Sequence, residues 1–364
     1  MLHIGYPKTG TTSLQQFLDA NRERLREHGV LYPSPSPQHN LAWSMSGTGA
    51  SGSRGAPGYL FDPESLTFER LAEQIARSAA DVVVLSSEEF VHRASQTAAV
   101  RTVERFASEV GASIDVIVFI RPQYAYINSL YTQRARYFNE RRSFEDFARE
   151  AVGLQLINYS KRLRAWDQAP NLRLIPVPFT KSRMQPNLEA VFFDVAGLSD
   201  CAGSVLEGAE RRRVNTSPGA ATVEVFRRLT GHLDQLAGAR NLDRSVRSSL
   251  SHYVTRICQR RIDWDTIPFN GLDNGLREQI DEHFAASNNA FARHHWGADW
   301  HDAFEADYER DLIPNEFDPA RADKRTRRAV KTVTRLAIKR ADALLSAPRP
   351  RSATAAAPST HSAV

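Results

Sequence analysis

Apolar positions along the chain fall into two repeating arrangements. The first is a set of short, nearly unbroken apolar runs: Leu2-His3-Ile4, Asp81-Val82-Val83-Val84-Leu85, the seven residues from Ile114 to Ile120, and Leu172-Arg173-Leu174-Ile175-Pro176-Val177. Runs of this kind, rich in β-branched residues, suit strands covered on both faces, as a parallel sheet requires. The last of them is expected to end at its prolines. The second arrangement is helical. Leu14, Phe17 and Leu18 share one face of a helix predicted over residues 11–27, and Leu71, Ile75 and Ala79 share a face over 66–79. Further helices are predicted over 97–110, 144–152 and 157–168, and helical spacing dominates from Ala220 to about His283. Strands alternating with helices predict an α/β fold, three layers α/β/α around a central parallel sheet, with a helical C-terminal part.

The pattern also has gaps. Pro33 to Pro37 forbids regular structure, and residues 38–43 open another helix. Ser44 to Gly58 is rich in Gly, Ser and Ala and reads as a mobile loop, either a lid over an acceptor or an insert. Residues 321–340 are strongly basic, with Val330, Val333 and Ala337 near one helical face. That stretch is either a solvated helix or a peripheral contact for anionic lipid or an acidic partner. The low-complexity end reads as disordered. The expected organisation is one domain over 1–320, a basic helical extension over 321–345, and a disordered tail over 346–364.

Composition narrows the function classes. The chain has 364 residues, 41% hydrophobic and 24% charged, an ordinary balance for a globular protein. No apolar run reaches the roughly 18 to 20 residues of a membrane span, and no secretory apolar region follows Met1, so a cytoplasmic location is expected. The chain opens almost on its first strand, which leaves room for a start upstream of Met1. The net charge of +5 suits anionic ligands. Its excess lies mostly toward the C-terminus, without interleaved aromatic residues, so no nucleic-acid partner is expected. Cys201 and Cys258 are too few for a disulfide framework or a metal cluster and are read as core residues. His294-His295 lacks Cys or carboxylate spacing, so no metal is expected.

The densest chemistry lies at the start. Leu2-His3-Ile4 is followed by the loop Gly5-Tyr6-Pro7-Lys8-Thr9-Gly10-Thr11-Thr12 and then by the helix opening at Ser13-Leu14. A strand, a glycine-containing loop and a helix N-terminus make an anion site: backbone N–H groups converge, the helix dipole adds partial positive charge, and Lys8 adds a full one. Thr11, Thr12 and Ser13 add hydroxyls. The loop is close to a Walker A pattern, with Gly5 and Gly10 suitably spaced and Thr12 at the Ser/Thr position. The residue after Gly10 is Thr11, where a nucleotide kinase needs Lys.

With its lysine at position 8, PKTGTTSLQ resembles the 5′-phosphosulfate loop of sulfotransferases that use 3′-phosphoadenosine 5′-phosphosulfate (PAPS). The resemblance implies the P-loop-NTPase-like sulfotransferase fold, with PAPS as donor substrate and no metal. It gives Lys8 contact with the bridging oxygen of the donor, and the 5′-phosphate to Thr9, Gly10, Thr11, Thr12 and Ser13. A second motif follows the strand 114–120. Arg121 emerges at its end, Pro122 fits a first helical turn, and Ser129 lies two turns on. This resembles the family's 3′-phosphate site, where Arg121 and Ser129 would clamp the donor, the arginine bidentately. Arg211 to Pro218 is similar, over a short span, to a late segment of carbohydrate sulfotransferases that covers the nucleotide, which adds Arg213 to the donor-binding set.

The reaction implied is in-line transfer of a sulfuryl group to a hydroxyl or amine, with a saccharide or glycolipid as the expected acceptor, because the SLQ form is closer to carbohydrate-type enzymes. A general base is needed. Glu88 and Glu89 follow the second long apolar run and would lie near the Lys8 loop if that strand neighbours the first. Glu88 is the first candidate and His39 the second. Two other classes stay open: a kinase-like nucleotide-binding protein, and an inactive relative that holds nucleotide and glycan without turnover.

Overall fold

The computed structural model describes residues 1–6, 8–36, 38–44, 66–93, 97–154, 157–207, 217–236, 244–261 and 263–346. The loop expected over 44–58 beyond Ser44, Arg213 with most of its basic segment, and the tail from 347 onward lie outside these residues. The chain forms two compact units, Met1–Thr132 with Arg142–Ser217 and Asn270–Asn315, and Gln133–Arg141 with Pro218–Phe269 and Glu316–Val364.

The first unit is α/β. Among the described residues its strands are β1 (Leu2–Ile4), β2 (Val30–Leu31), β3 (Val82–Val83), β4 (Leu85–Ser87), β5 (Ile114–Ile120) and β6 (Leu172–Pro178). Four of them form a parallel sheet in the order β4-β1-β5-β6, and β2 pairs with β3 in a separate parallel ribbon. From β1 the chain goes to β4 on one side, then crosses back to β5 on the other. The carboxyl ends of β1 and β5 are therefore the switch point where open α/β sheets bind ligands.

Three elements differ from the sequence pattern. The run 81–85 is not one strand: Val84 N donates to Leu31 O (2.9 Å) and Leu85 N to Met1 O (3.0 Å), so the chain changes partner between β3 and β4. The helix expected over 11–27 breaks at Asn21, whose φ of −109° leaves helical geometry and whose side chain bonds Phe17 O at 2.8 Å. The prolines of the last strand do not end it, because β6 lies at the edge of the sheet and Pro176 and Pro178 stay in register with Val118 and Ile120. An edge strand tolerates the missing N–H donors.

Packing sets the loop after β1. Leu14 and Leu18 of the helix Thr11–Ala20 are fully buried in one cluster with Ile117 and Phe119 of β5 and with Phe192 and Phe193 of the helix Leu188–Val195. Burying each ring contributes about 1.5–3 kcal/mol. At the far end of β5, Gln123 exchanges hydrogen bonds with Asn288 (2.7 and 2.9 Å), both side chains being buried. That pair ties the turn after Arg121 to the helix Asn274–Trp296.

The second unit contains the helices Ala220–Gln235, Arg244–Gln259 and Lys324–Ser346. The basic stretch expected as an extension is this last helix. Its face of Val330, Val333, Ala337 and Ala341 is buried within the unit, and His232 Nε2 meets Asp342 Oδ1 at 2.9 Å. Lys324, Arg325, Arg327, Arg328, Lys331 and Arg335 stay exposed. Cys201 and Cys258 are free and buried. Among the described residues no helix is long and apolar enough to cross a membrane.

Candidate functional site

The loop leaving β1 is held from below. Gly5 N donates to Ser87 O (3.1 Å), and Tyr6 is buried with its ring edge-on to Tyr126 (5.8 Å) and Tyr159 (5.0 Å). A Cβ on Gly5 would sit 2.4 Å from the Thr11 side chain, so only glycine lets the helix start this close to the strand. Lys8 and Gly10 both take positive φ, 70° and 80°. Gly10 does so at little cost, whereas for a lysine the conformation is strained. Gly10 then caps the helix Thr11–Ala20, leaving the first N–H groups, those of Thr11, Thr12 and Ser13, without intrahelical acceptors.

The hydroxyls of the loop have different surroundings. Thr9 is buried and spends its Oγ1 on Tyr6 O (2.6 Å). Thr11 Oγ1 is buried without a hydrogen-bond partner among the described residues, Thr12 is exposed, and Ser13 Oγ donates to Glu189 Oε1 (2.9 Å). Glu189 thus competes with any anion for the Ser13 hydroxyl.

Arg121 comes to the same place from β5. Its Nη1 donates to Lys8 O at 3.1 Å across 113 residues of chain. Tyr159 Oη donates to the Arg121 carbonyl (2.6 Å), fixing the turn. Arg121 Nε is buried and has no hydrogen-bond partner among the described residues. Burial lowers the guanidinium's pKa, while the nearby Tyr159 and Asp307 favour its charge. Burial likewise raises the Asp307 carboxyl, against the pull of Arg121 and Arg310. Ser129 lies half-buried on the helix Gln123–Arg136, and no hydrogen bond joins it to Arg121 among the described residues.

The third side of the site is the end of β4. Ile4 is in register with Ser87, which sets Glu88 beside the start of the Lys8 loop. Burial raises the Glu88 carboxyl, with Lys8 opposing and Glu89 reinforcing the shift. Two histidines flank the strand: His3 Nδ1 lies 2.8 Å from Ser86 Oγ, and His39 Nδ1 lies 2.6 Å from Ser87 Oγ. His3 is fully buried and burial lowers its pKa to about 3, whereas His39 is half-buried. The structure therefore brings Lys8, Glu88, His39 and Arg121 around the ends of β1, β4 and β5.

The sign of the Glu88 shift gives a test. The folded chain holds this proton more tightly than the unfolded chain, so wild type loses stability as pH rises from the ordinary carboxylate value of 4.5 through the raised one. Glu88→Gln removes that loss. In urea unfolding, the variant should be the more stable protein at neutral pH, with the difference closing below 4.5. Curves that stay parallel across this range would contradict the burial of the charge.

Sequence reasoning missed the aromatic floor of Tyr6, Tyr126 and Tyr159, and also Asp307 and Glu189. Tyr6 and Tyr126 lie inside the two motifs, which was the available signal. Comparison of the chain with protein-family models, with curated proteins and with solved structures finds no match.

Proposed function

We propose that the chain is a sulfotransferase that moves the sulfuryl group of PAPS to a hydroxyl or amine of an acceptor, a saccharide or glycolipid, on a P-loop-like sulfotransferase fold. The observation that carries this reading is the meeting of the two motifs: Arg121 donates to the Lys8 carbonyl at the switch point of the parallel sheet. The donor's 5′-phosphate would lie on the N-terminus of the helix Thr11–Ala20, and its 3′-phosphate on Arg121 and Ser129.

In the transfer step the acceptor oxygen or nitrogen forms a bond to sulfur as the bond from sulfur to the 5′-phosphate oxygen breaks. The electron pair leaves on adenosine 3′,5′-bisphosphate, where the Lys8 ammonium meets the growing charge. The acceptor's proton goes to the Glu88 carboxylate, whose raised proton affinity suits a base, with His39 as the second candidate. A kinase-like reading needs a lysine directly after Gly10. Thr11 stands there, buried against Gly5.

Calorimetry tests the donor. Adenosine 3′,5′-bisphosphate should bind more tightly than adenosine 5′-phosphosulfate, and Arg121→Ala should weaken it by about 1.5–3 kcal/mol, roughly 10- to 100-fold. Preference for ATP with magnesium, indifferent to Arg121, would overturn the reading.

A further inference from the structure

The helix Tyr159–Asp167 and the helix Asn274–Trp296 end side by side. Asp167 closes the first. His294 and His295 stand in the last turn of the second. Asp167 Oδ1 lies 3.4 Å from His294 Nε2 and 3.5 Å from His295 Nε2. One ligand atom from each of the three residues lies within 4.8 Å of the other two. The sequence spacing around His294-His295 offered no carboxylate, because the carboxylate arrives from another helix.

The two oxygen-to-nitrogen distances match a coordination sphere. Zinc binds imidazole nitrogen at about 2.0–2.1 Å and carboxylate oxygen at about 2.0–2.2 Å, so neighbouring ligand atoms of a tetrahedron stand about 3.3–3.5 Å apart. Both oxygen-to-nitrogen edges already have that length. We infer that Asp167, His294 and His295 form a site for a divalent transition-metal ion of the zinc type, with water completing the coordination.

The supports of the site favour binding over a plain ion pair. His295 keeps only 9% of its side-chain surface exposed, and its ring packs 4.4 Å from that of Phe291. Next to it, Trp296 Nε1 donates to Pro176 O at 2.8 Å, anchoring the helix end to the edge strand. Ser160 Oγ donates to Ser287 O (3.0 Å), joining the same two helices a few turns away. His295 and the two helix backbones are thus held before any ion enters, which reduces the ordering that opposes binding. The two imidazole rings stand with centroids 4.5 Å apart, both with Nε2 toward the one carboxylate oxygen. His294 and Asp167 keep 65% and 32% of their side-chain surface exposed, leaving an approach for the ion and its water.

Two nitrogens and one oxygen suit zinc, cobalt, nickel or copper and not magnesium or calcium, which take oxygen ligands. The site is separate from the transfer chemistry. Asp167 sits just before β6 begins, at the amino end of that strand, whereas Lys8 and Arg121 follow the carboxyl ends of β1 and β5. Its effect would be to clamp the helix Tyr159–Asp167, whose Tyr159 supports Arg121, to the helix Asn274–Trp296.

The test uses the full chain without an affinity tag, stripped with chelator and titrated with cobalt(II) and zinc. We expect one equivalent of cobalt to develop visible d–d absorption that zinc abolishes and magnesium does not. Zinc should raise the thermal midpoint of wild type. His294→Ala, His295→Ala and Asp167→Asn should each lower the affinity by an order of magnitude or more and erase the thermal shift, with circular dichroism unchanged. His252→Ala, on a helix of the second unit, should behave as wild type. Absence of saturable binding, or binding unchanged in the His294→Ala/His295→Ala double variant, would overturn the site.

Discussion

Replacing Lys8 by glycine is expected to remove the proposed sulfuryl transfer while leaving the fold at least as stable as wild type. The two effects come from different atoms. The ammonium group would meet charge developing on the leaving oxygen, and loss of one such preorganised donor costs about 100- to 1,000-fold in rate. The backbone of Lys8 sits at φ 70°, a conformation that costs a non-glycine residue about 1 kcal/mol or more and glycine little. A lysine held in strain between Tyr6 and Gly10 makes sense if its side chain is needed there. Lys8→Ala should lose the same rate but keep the strain, and so be the less stable of the two variants. Release of labelled sulfuryl group from the donor under single-turnover conditions, to acceptor or to water, reads the first effect; urea midpoints read the second. Transfer at the wild-type rate in Lys8→Gly would remove lysine from the mechanism, and a stability loss beyond about 1 kcal/mol would remove the strain argument.

What the chain discloses before folding is what depends on neighbours in sequence. β5 is legible because a strand buried on both faces leaves a run such as Ile114 to Ile120. The Lys8 loop is legible because glycine, lysine and hydroxyls at a strand-to-helix junction are a local chemical pattern. The neighbourhood of Glu88 followed from one assumption, that the second long apolar run pairs with the first, and β4 does pair with β1. What stayed hidden depends on distant partners. Nothing local says that Val84 is where the chain leaves β2 for β1, because both halves of the run are equally apolar. The prolines of β6 read as a stop until its edge position is known. The bond from Ser13 to Glu189, 176 residues away, has no local signal. Tyr159 carries no signal of its own and becomes the support of Arg121 only through the packing of its helix.

The same dependence on distant partners predicts a weak point in acid at the opening strand. Lowering the pH should unfold wild type more steeply than His3→Gln. His3 lies at the centre of β1, fully buried, edge-on to Phe119 and Phe192 at 5.7 and 5.8 Å, with only the Ser86 hydroxyl on its Nδ1. Its Nε2 is buried without a hydrogen-bond partner among the described residues, so a proton added there would be a bare charge in an apolar layer. Burial therefore holds the folded pKa near 3, against 6.5 for the exposed ring. Between those values the unfolded chain binds the proton and the folded chain does not. Stability is thus complete above 6.5 and falls as pH drops toward 3. Each pH unit in that window costs about 1.4 kcal/mol, which gives an upper bound of about 5 kcal/mol for the whole of it. That is comparable to the total stability of many domains. Glutamine can keep the bond to Ser86 and does not titrate. His3→Gln should start from a lower stability at neutral pH, because the imidazole fits its pocket better, and then lose less as acid is added. Urea midpoints of both proteins, taken from about pH 7 to about pH 4, should converge or cross. Midpoints that fall in parallel would show that His3 is not the group whose protonation opens β1, and acid sensitivity would have to be sought among the carboxylates instead.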